Sequence, residues 1–117
     1  MTSTVLVTGA TRGLGKATAI QLIQAGATVA IVARDPERGA AAVAEIHRLS
    51  PDGAVDLLVG DLSTMSGVRR IAADVIAQHP QLNVLINNAG VSKFSREVTA
   101  EGLEATFATN HLAPFLL

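Results

Sequence analysis

Residues 8 to 15 read Thr8-Gly9-Ala10-Thr11-Arg12-Gly13-Leu14-Gly15, a run whose most direct chemical use is to hold a phosphate ester. Backbone N–H groups at a helix start carry partial positive charge, and glycines let an anion approach them closely. The same run would also serve as a plain strand-to-helix turn. Its surroundings favour the nucleotide reading: a Val-rich run from Ser3 to Thr8 precedes it, and a helix-periodic segment from about Gly13 to Ala25, ended by Gly26, follows. Asp61 closes a later apolar run at Gly60-Asp61-Leu62, where its carboxylate either faces a ligand or offers charge to the next helix. A fourth run ends in the turn Asn87-Asn88-Ala89-Gly90.

These groups converge only if the elements around them bring them to one place. Short aliphatic runs alternate with longer helical segments and no repeat or linker interrupts them, so the chain reads as one βαβ series. After Thr28–Ala33, Asp35 stands as an N-cap and Pro36 as the first helical residue of a segment reaching about Leu49. Ala54–Val59 is the third run. Ser63 or Thr64 then caps a helix with Val68, Ile71, Ala72, Val75 and Ile76 on one face. Leu82–Ile86 is the fourth, and Thr99 is expected to cap a last helix carrying Leu103, Phe107 and His111. Four fully apolar strands separated by helices predict a parallel sheet covered on both faces. The expected fold class is α/β, a Rossmann-type doubly wound sheet in three αβα layers, incomplete after the fourth strand. Its order 3-2-1-4 places a crevice at the carboxyl ends of strands one and four.

With 117 residues, 49% hydrophobic and 16% charged, the chain predicts one packed domain over residues 1–117 rather than disorder. A net charge of −1 with interleaved signs disfavours nucleic acid and acidic membrane surfaces as partners. The absence of Cys removes disulfides and thiolate metal sites, no apolar run reaches spanning length and no signal peptide is evident. The setting expected from this is cytoplasmic, and no metal site is expected.

The spacing Thr-Gly-x-x-x-Gly-x-Gly, the later Asp61-Leu62, the Asn87-Asn88-Ala89-Gly90 turn and Asn110 in the following helix together resemble the short-chain dehydrogenase/reductase family, over the whole chain. The stretch from Glu101-Gly102-Leu103-Glu104 to Asn110-His111-Leu112 is similar to its retinol-dehydrogenase-type members. The resemblance implies an oxidoreductase moving hydride between a nicotinamide cofactor and a carbonyl or alcohol. It implies that Thr8, Gly9, Thr11, Arg12, Gly13, Leu14 and Gly15 form the phosphate loop and that Asp61 bonds the adenine amino group with Leu62 backing the ring. Asn88, Ala89 and Gly90 line the cofactor with backbone atoms, while Asn87 ties strands together. The family's acidic ribose-binding position falls on Ala33. A small residue there followed by Arg34, with Arg12 nearby, leaves room for a 2′-phosphate, so NADP(H) is expected over NAD(H). Asp35 is the best argument for NAD(H), but capping explains it.

Carbonyl reduction needs a proton for the developing alkoxide. The family uses a Tyr, with a Lys and a Ser; they lie beyond this segment, and the chain has no Tyr. Asn110 matches the remaining catalytic residue, an Asn holding a water in a proton relay. Lys16 and Lys93 do not lie in a Tyr-x-x-x-Lys setting, and His47, His79 and His111 suggest no substitute; His47 and His79 are expected to be solvated. An unpaired fourth strand agrees that the sequence is a front portion. Pro114 is a family variant rather than a stop signal. Ser92, Phe94 and Ser95 in the Val91–Val98 loop are candidates for the pocket mouth. The rival expectation is a non-catalytic nucleotide-binding or interaction module. For the complete protein the resemblance implies a homo-oligomer through the last helix here and the one after it.

Overall fold

The computed structural model describes residues 2–91, 93 and 95–117. Four strands, β1 (Thr4–Thr8), β2 (Thr28–Ala33), β3 (Ala54–Val59) and β4 (Val84–Ile86), pair in parallel in the order β3-β2-β1-β4. Alternation of side chains across the strands explains why the central β1 and β2 are apolar and buried on both faces, whereas β3, expected to be fully apolar, carries an exposed Asp56 and, like β4, is partly exposed. Val5, Val7, Val29 and Ile31 point to one face, against Ala19 and Ile23 of α1 (Gly13–Gln24) and Ala42 and Ile46 of α2 (Pro36–Leu49). Leu6, Ala30, Val32 and Leu58 point to the other, against Ile71 and Val75 of α3 (Met65–Gln78). The result is the expected three-layer arrangement, with the two central strands buried on both faces.

Local chemistry sets the boundaries. Asp35 accepts from Glu37 N at 2.9 Å and Pro36 opens α2, while Thr64 rather than Ser63 caps α3 by accepting from Gly67 N at 3.1 Å. β4 begins two residues later than expected because Asn83 takes over the ladder with its side chain. Its Oδ1 accepts from Thr4 N at 2.8 Å, while its own N–H donates to Thr4 O at 2.9 Å.

The last helical stretch departs most from expectation. Thr99 does not cap it. Thr99 N donates to Leu103 O at 2.7 Å and Gly102, at φ +79°, closes the same turn, so the chain cannot yet be helical there. α4 (Ala105–Phe107) starts instead at Glu104, whose carboxylate accepts from Thr106 N and Phe107 N, each at 2.9 Å. It runs into a π-helical turn (Ala108–Leu112), marked by Ala113 N donating to Ala108 O, and then α5 (Ala113–Leu116). The turn of residues 97–104 is held to α3 by Glu101, whose two carboxylate oxygens accept from Met65 N and Ser66 N.

His79 is largely buried rather than solvated. Its Nε2 lies 3.0 Å from Asp56 Oδ2 without making a hydrogen bond to it. Among the described residues no helix is long and apolar enough to cross a membrane.

Candidate functional site

β1 and β4 end side by side, and a set of short contacts locks their exits together. The buried hydroxyl of Thr8 accepts from Asn88 N at 3.0 Å and Ala89 N at 2.9 Å. Asn88 Nδ2 donates to Gly9 O at 3.1 Å, which adds a side-chain tie between the two strand exits. Two glycines make this closeness possible. Gly9 has φ +65°, and a Cβ there would come within 2.7 Å of Ala89 Cα; a Cβ on Gly15 would overlap Gly9 O and the Asn88 amide. α1 then begins behind Arg12, an extended N-cap residue that makes no side-chain cap, leaving the first helical N–H groups without that partner.

The carboxyl ends of the strands open onto a cavity of about 460 Å³. From the loop, Gly9, Thr11, Arg12 and Gly13 line it; β2 contributes Arg34 just past its end; β3 leads into Asp61 and Leu62; and Asn88, Ala89 and Gly90 form the wall after β4. Four residues of the sequence-derived set stand elsewhere. Thr8 and Gly15 are buried beneath the loop and act on its shape, and Leu14 is 77% exposed on the first turn of α1. Asn110 is spent on the neighbouring backbone: Oδ1 accepts from Val91 N at 2.8 Å and Nδ2 donates to Val91 O at 2.7 Å. Ser92 and Phe94 lie outside the described residues, and Ser95 is exposed.

The charges where β2 and β3 meet the crevice are arranged rather than scattered. Asp61 Oδ1 accepts from Ser63 N at 2.9 Å and Ser63 Oγ at 2.6 Å, and Oδ2 lies 3.9 Å from Arg34 Nε. Partial burial pushes the Asp61 carboxyl upward, but the two Ser63 bonds and the Arg34 charge outweigh it, leaving the group below its ordinary range and ionised at neutral pH. Gly67 is what admits this turn, since a Cβ there would overlap Asp61 O.

The chain has counterparts among known proteins. The family model described as short chain dehydrogenase matches residues 3–117. The chain belongs to the short-chain dehydrogenase family. It is 42% identical over 113 residues to retinol dehydrogenase 12 of Bos taurus, covering 97% of this chain and 36% of that protein. It is 40% identical over 114 residues to a putative daunorubicin C-13 ketoreductase of Streptomyces sp. (strain C5), covering 97% and 39%. Among solved structures, a metagenomic short-chain oxidoreductase in complex with NADP superposes with a TM-score of 0.83 at 36% identity, covering 98% of this chain and 52% of that one. The chain thus spans little more than a third of the length of those two curated relatives.

The short-chain dehydrogenase crevice also contains residues that sequence reasoning missed. Arg38, on the first turn of α2, and Thr109, a buried polar residue in the π-helical turn, both line it. Helical spacing gave no reason to separate Arg38 from other surface charges. The π-helical turn rotates the helix by part of a residue, so a regular 3.6 period misassigns the face of Thr109. One signal near Asn110 was available: Pro114 stands four residues later and has no N–H to donate to the Asn110 carbonyl.

Proposed function

We propose that this chain binds NADP(H) and is the cofactor-holding portion of an oxidoreductase acting between carbonyl and alcohol substrates. The observation that carries the reading is the crevice itself. An uncapped helix start, a loop held open by Gly9 and Gly15, and the guanidinium groups of Arg12 and Arg34 meet in one cavity. The fit to a 2′-phosphorylated dinucleotide is chemical as well as spatial. Backbone N–H groups around Thr11, Gly13 and Leu14 suit a pyrophosphate. Arg12 and Arg34 suit the extra phosphate, with small, buried Ala33 leaving room beside them.

Other residues take roles at the same site. Ionised Asp61 accepts from an adenine amino group beside Leu62, and the backbone of Asn88, Ala89 and Gly90 borders the ribose side. Thr8, Gly15 and the Asn110 side chain hold the walls in place, which leaves the Asn110 main-chain carbonyl as its contribution to a proton path. When bound, the nicotinamide supplies or accepts the hydride. The chain has no Tyr, so the proton donor of the family's reaction must come from outside these 117 residues. A ketoreductase and a retinol dehydrogenase among the relatives favour carbonyl–alcohol chemistry, and the NADP-bound neighbour favours the cofactor.

Calorimetric titration of the 117-residue chain with NADPH and with NADH tests this reading. NADPH is expected to bind about tenfold more tightly or better, and Arg34→Ala to remove most of that margin. Equal affinities in a folded chain would refute the choice of NADP(H), and no binding of either would refute the nucleotide site. In the same samples the chain is expected to turn over no aldehyde or ketone.

A further inference from the structure

Asp61 lines the crevice where β3 ends, and one neighbour decides which of its two oxygens is available there. Ser63 donates to Oδ1 twice, from its amide at 2.9 Å and from its hydroxyl at 2.6 Å. Among the described residues Oδ2 accepts no hydrogen bond, and its ion-pair neighbour, Arg34 Nε, lies 3.9 Å away. We infer that Ser63 is a positioning residue that sets the choice of base at this site: by filling Oδ1 it presents Oδ2 as a fixed acceptor that selects a 6-amino purine over a 6-oxo purine. The inference rests on the NADP(H) reading above and goes beyond it by assigning base selection to a side chain outside the carboxylate itself.

The hydroxyl is not needed to build the turn. Thr64 Oγ1 donates to Asp61 O at 3.3 Å and accepts from Gly67 N at 3.1 Å, and the Thr64 amide closes on the same carbonyl at 3.5 Å. Ahead of the turn, Gly60 N donates to Ala33 O at 3.0 Å, which fixes the strand end from which Asp61 leaves. These bonds hold the backbone of residues 60–64 whether or not residue 63 carries a hydroxyl. What the hydroxyl adds falls on the Asp61 carboxylate.

That addition is one of charge and of direction. A hydroxyl–carboxylate bond of 2.6 Å is in the short range of charge-assisted hydrogen bonds. Partial burial disfavours the charged form of Asp61; the Ser63 hydroxyl and amide lead the opposing causes, ahead of Arg34, and the carboxyl stays below its ordinary range. An ionised carboxylate only accepts, whereas a protonated one also offers a donor. Oδ2 therefore pairs with an N–H at the purine 6-position and is repelled by a carbonyl oxygen there. The terminal torsion of an aspartate is soft, and turning it would exchange the two oxygens and blur the distinction. Two donors on Oδ1 oppose that rotation. Leu62 and Ser63 line the crevice beside Asp61, which puts the carboxylate within reach of a ligand.

The probes are NADP⁺ and nicotinamide hypoxanthine dinucleotide phosphate, which carries an oxo group in place of the 6-amino group. In calorimetry on the 117-residue chain at neutral pH, wild type is expected to bind NADP⁺ about tenfold more tightly, the lower end for a hydrogen bond to a charged group because Asp61 is partly exposed. Ser63→Ala should cut that preference to about threefold or less, mainly by weakening NADP⁺. Ser63→Thr, which keeps the hydroxyl, should restore it. In the free chain the Asp61 carboxyl carbon, followed by NMR, should titrate at higher pH in Ser63→Ala than in wild type, because the hydroxyl that favours the charged form is gone. Circular dichroism and melting establish that each variant is folded. A folded Ser63→Ala chain with undiminished preference overturns the role of Ser63 while the NADP(H) reading stands, and so does a Ser63→Thr chain as unselective as Ser63→Ala. If wild type binds both probes equally, Asp61 does not read the base and this inference fails, while a margin of NADPH over NADH still upholds the cofactor reading. Binding of neither probe removes that reading and this inference together.

Discussion

Replacing Thr8 with Val tests whether the wall between β1 and β4 is held by a single hydroxyl. The two side chains are nearly the same shape, so no cavity forms, and the change is confined to an oxygen that accepts from Asn88 N at 3.0 Å and Ala89 N at 2.9 Å. Leaving a buried donor unpaired costs about 1–3 kcal/mol. Both amides are only partly buried, so water recovers some of that loss, and the lower end applied twice gives about 2–3 kcal/mol. Thr8→Ser keeps the acceptor and removes one methyl group, about 1 kcal/mol. Urea denaturation followed by circular dichroism should therefore rank wild type above Thr8→Ser and Thr8→Ser above Thr8→Val, with similar m-values. NADPH affinity should fall about tenfold in Thr8→Val alone, because Asn88 and Ala89 form the cavity wall. A Thr8→Val chain as stable as Thr8→Ser, with wild-type NADPH affinity, would refute the argument.

Gly15→Ala forces a methyl group into Gly9 O and the Asn88 amide, so it should cost about 1–3 kcal/mol by overpacking and lower NADPH affinity more than tenfold, read by the same denaturation and calorimetry. Asn110→Ala removes both bonds to the exposed Val91 backbone; a loss of about 1–2 kcal/mol is expected, with faster hydrogen exchange at the Val91 amide. No change in that exchange would show that the clamp does not order the loop. Glu101 is held below its ordinary carboxylate range chiefly by Met65 N and Ser66 N. A depressed folded-state pKa means its stabilisation is fully present above the unfolded value and is lost as pH falls through the folded one. The melting temperature of wild type should therefore exceed that of Glu101→Gln by a constant margin from neutral pH down to about pH 5, a margin that shrinks below the ordinary glutamate value of 4.5. A margin independent of pH down to acid unfolding would remove the charge from the explanation.

What the sequence made legible follows from the range over which each signal acts. The strands and α1 to α3 could be read because apolar alternation, Asp35-Pro36 and the Thr64 cap are local chemistry, and local chemistry decides where buried elements start. The order β3-β2-β1-β4 is the one expected of the doubly wound fold class that the strand–helix alternation pointed to. The failures lie where a long-range contact overrides a local preference. Thr99 has a better capping residue type than Glu104, yet Gly102 and the Glu101 hold on α3 commit it to a turn. Asn83 shortens β4 by bonding a residue 79 positions away. In the site the same division appears within single residues. Thr8, Gly15 and Asn110 were found by pattern, but only the packed structure separates those that face the cavity from those that shape it. Arg38 was invisible for the complementary reason: its type and spacing are those of any solvated helix charge, and only the folded chain places it on the lining of the cavity. A motif is thus most informative about the backbone around a ligand, where glycine and cap geometry leave few alternatives. It is least informative about the side chains that choose between ligands, because an arginine reaches its partner from many places along a chain.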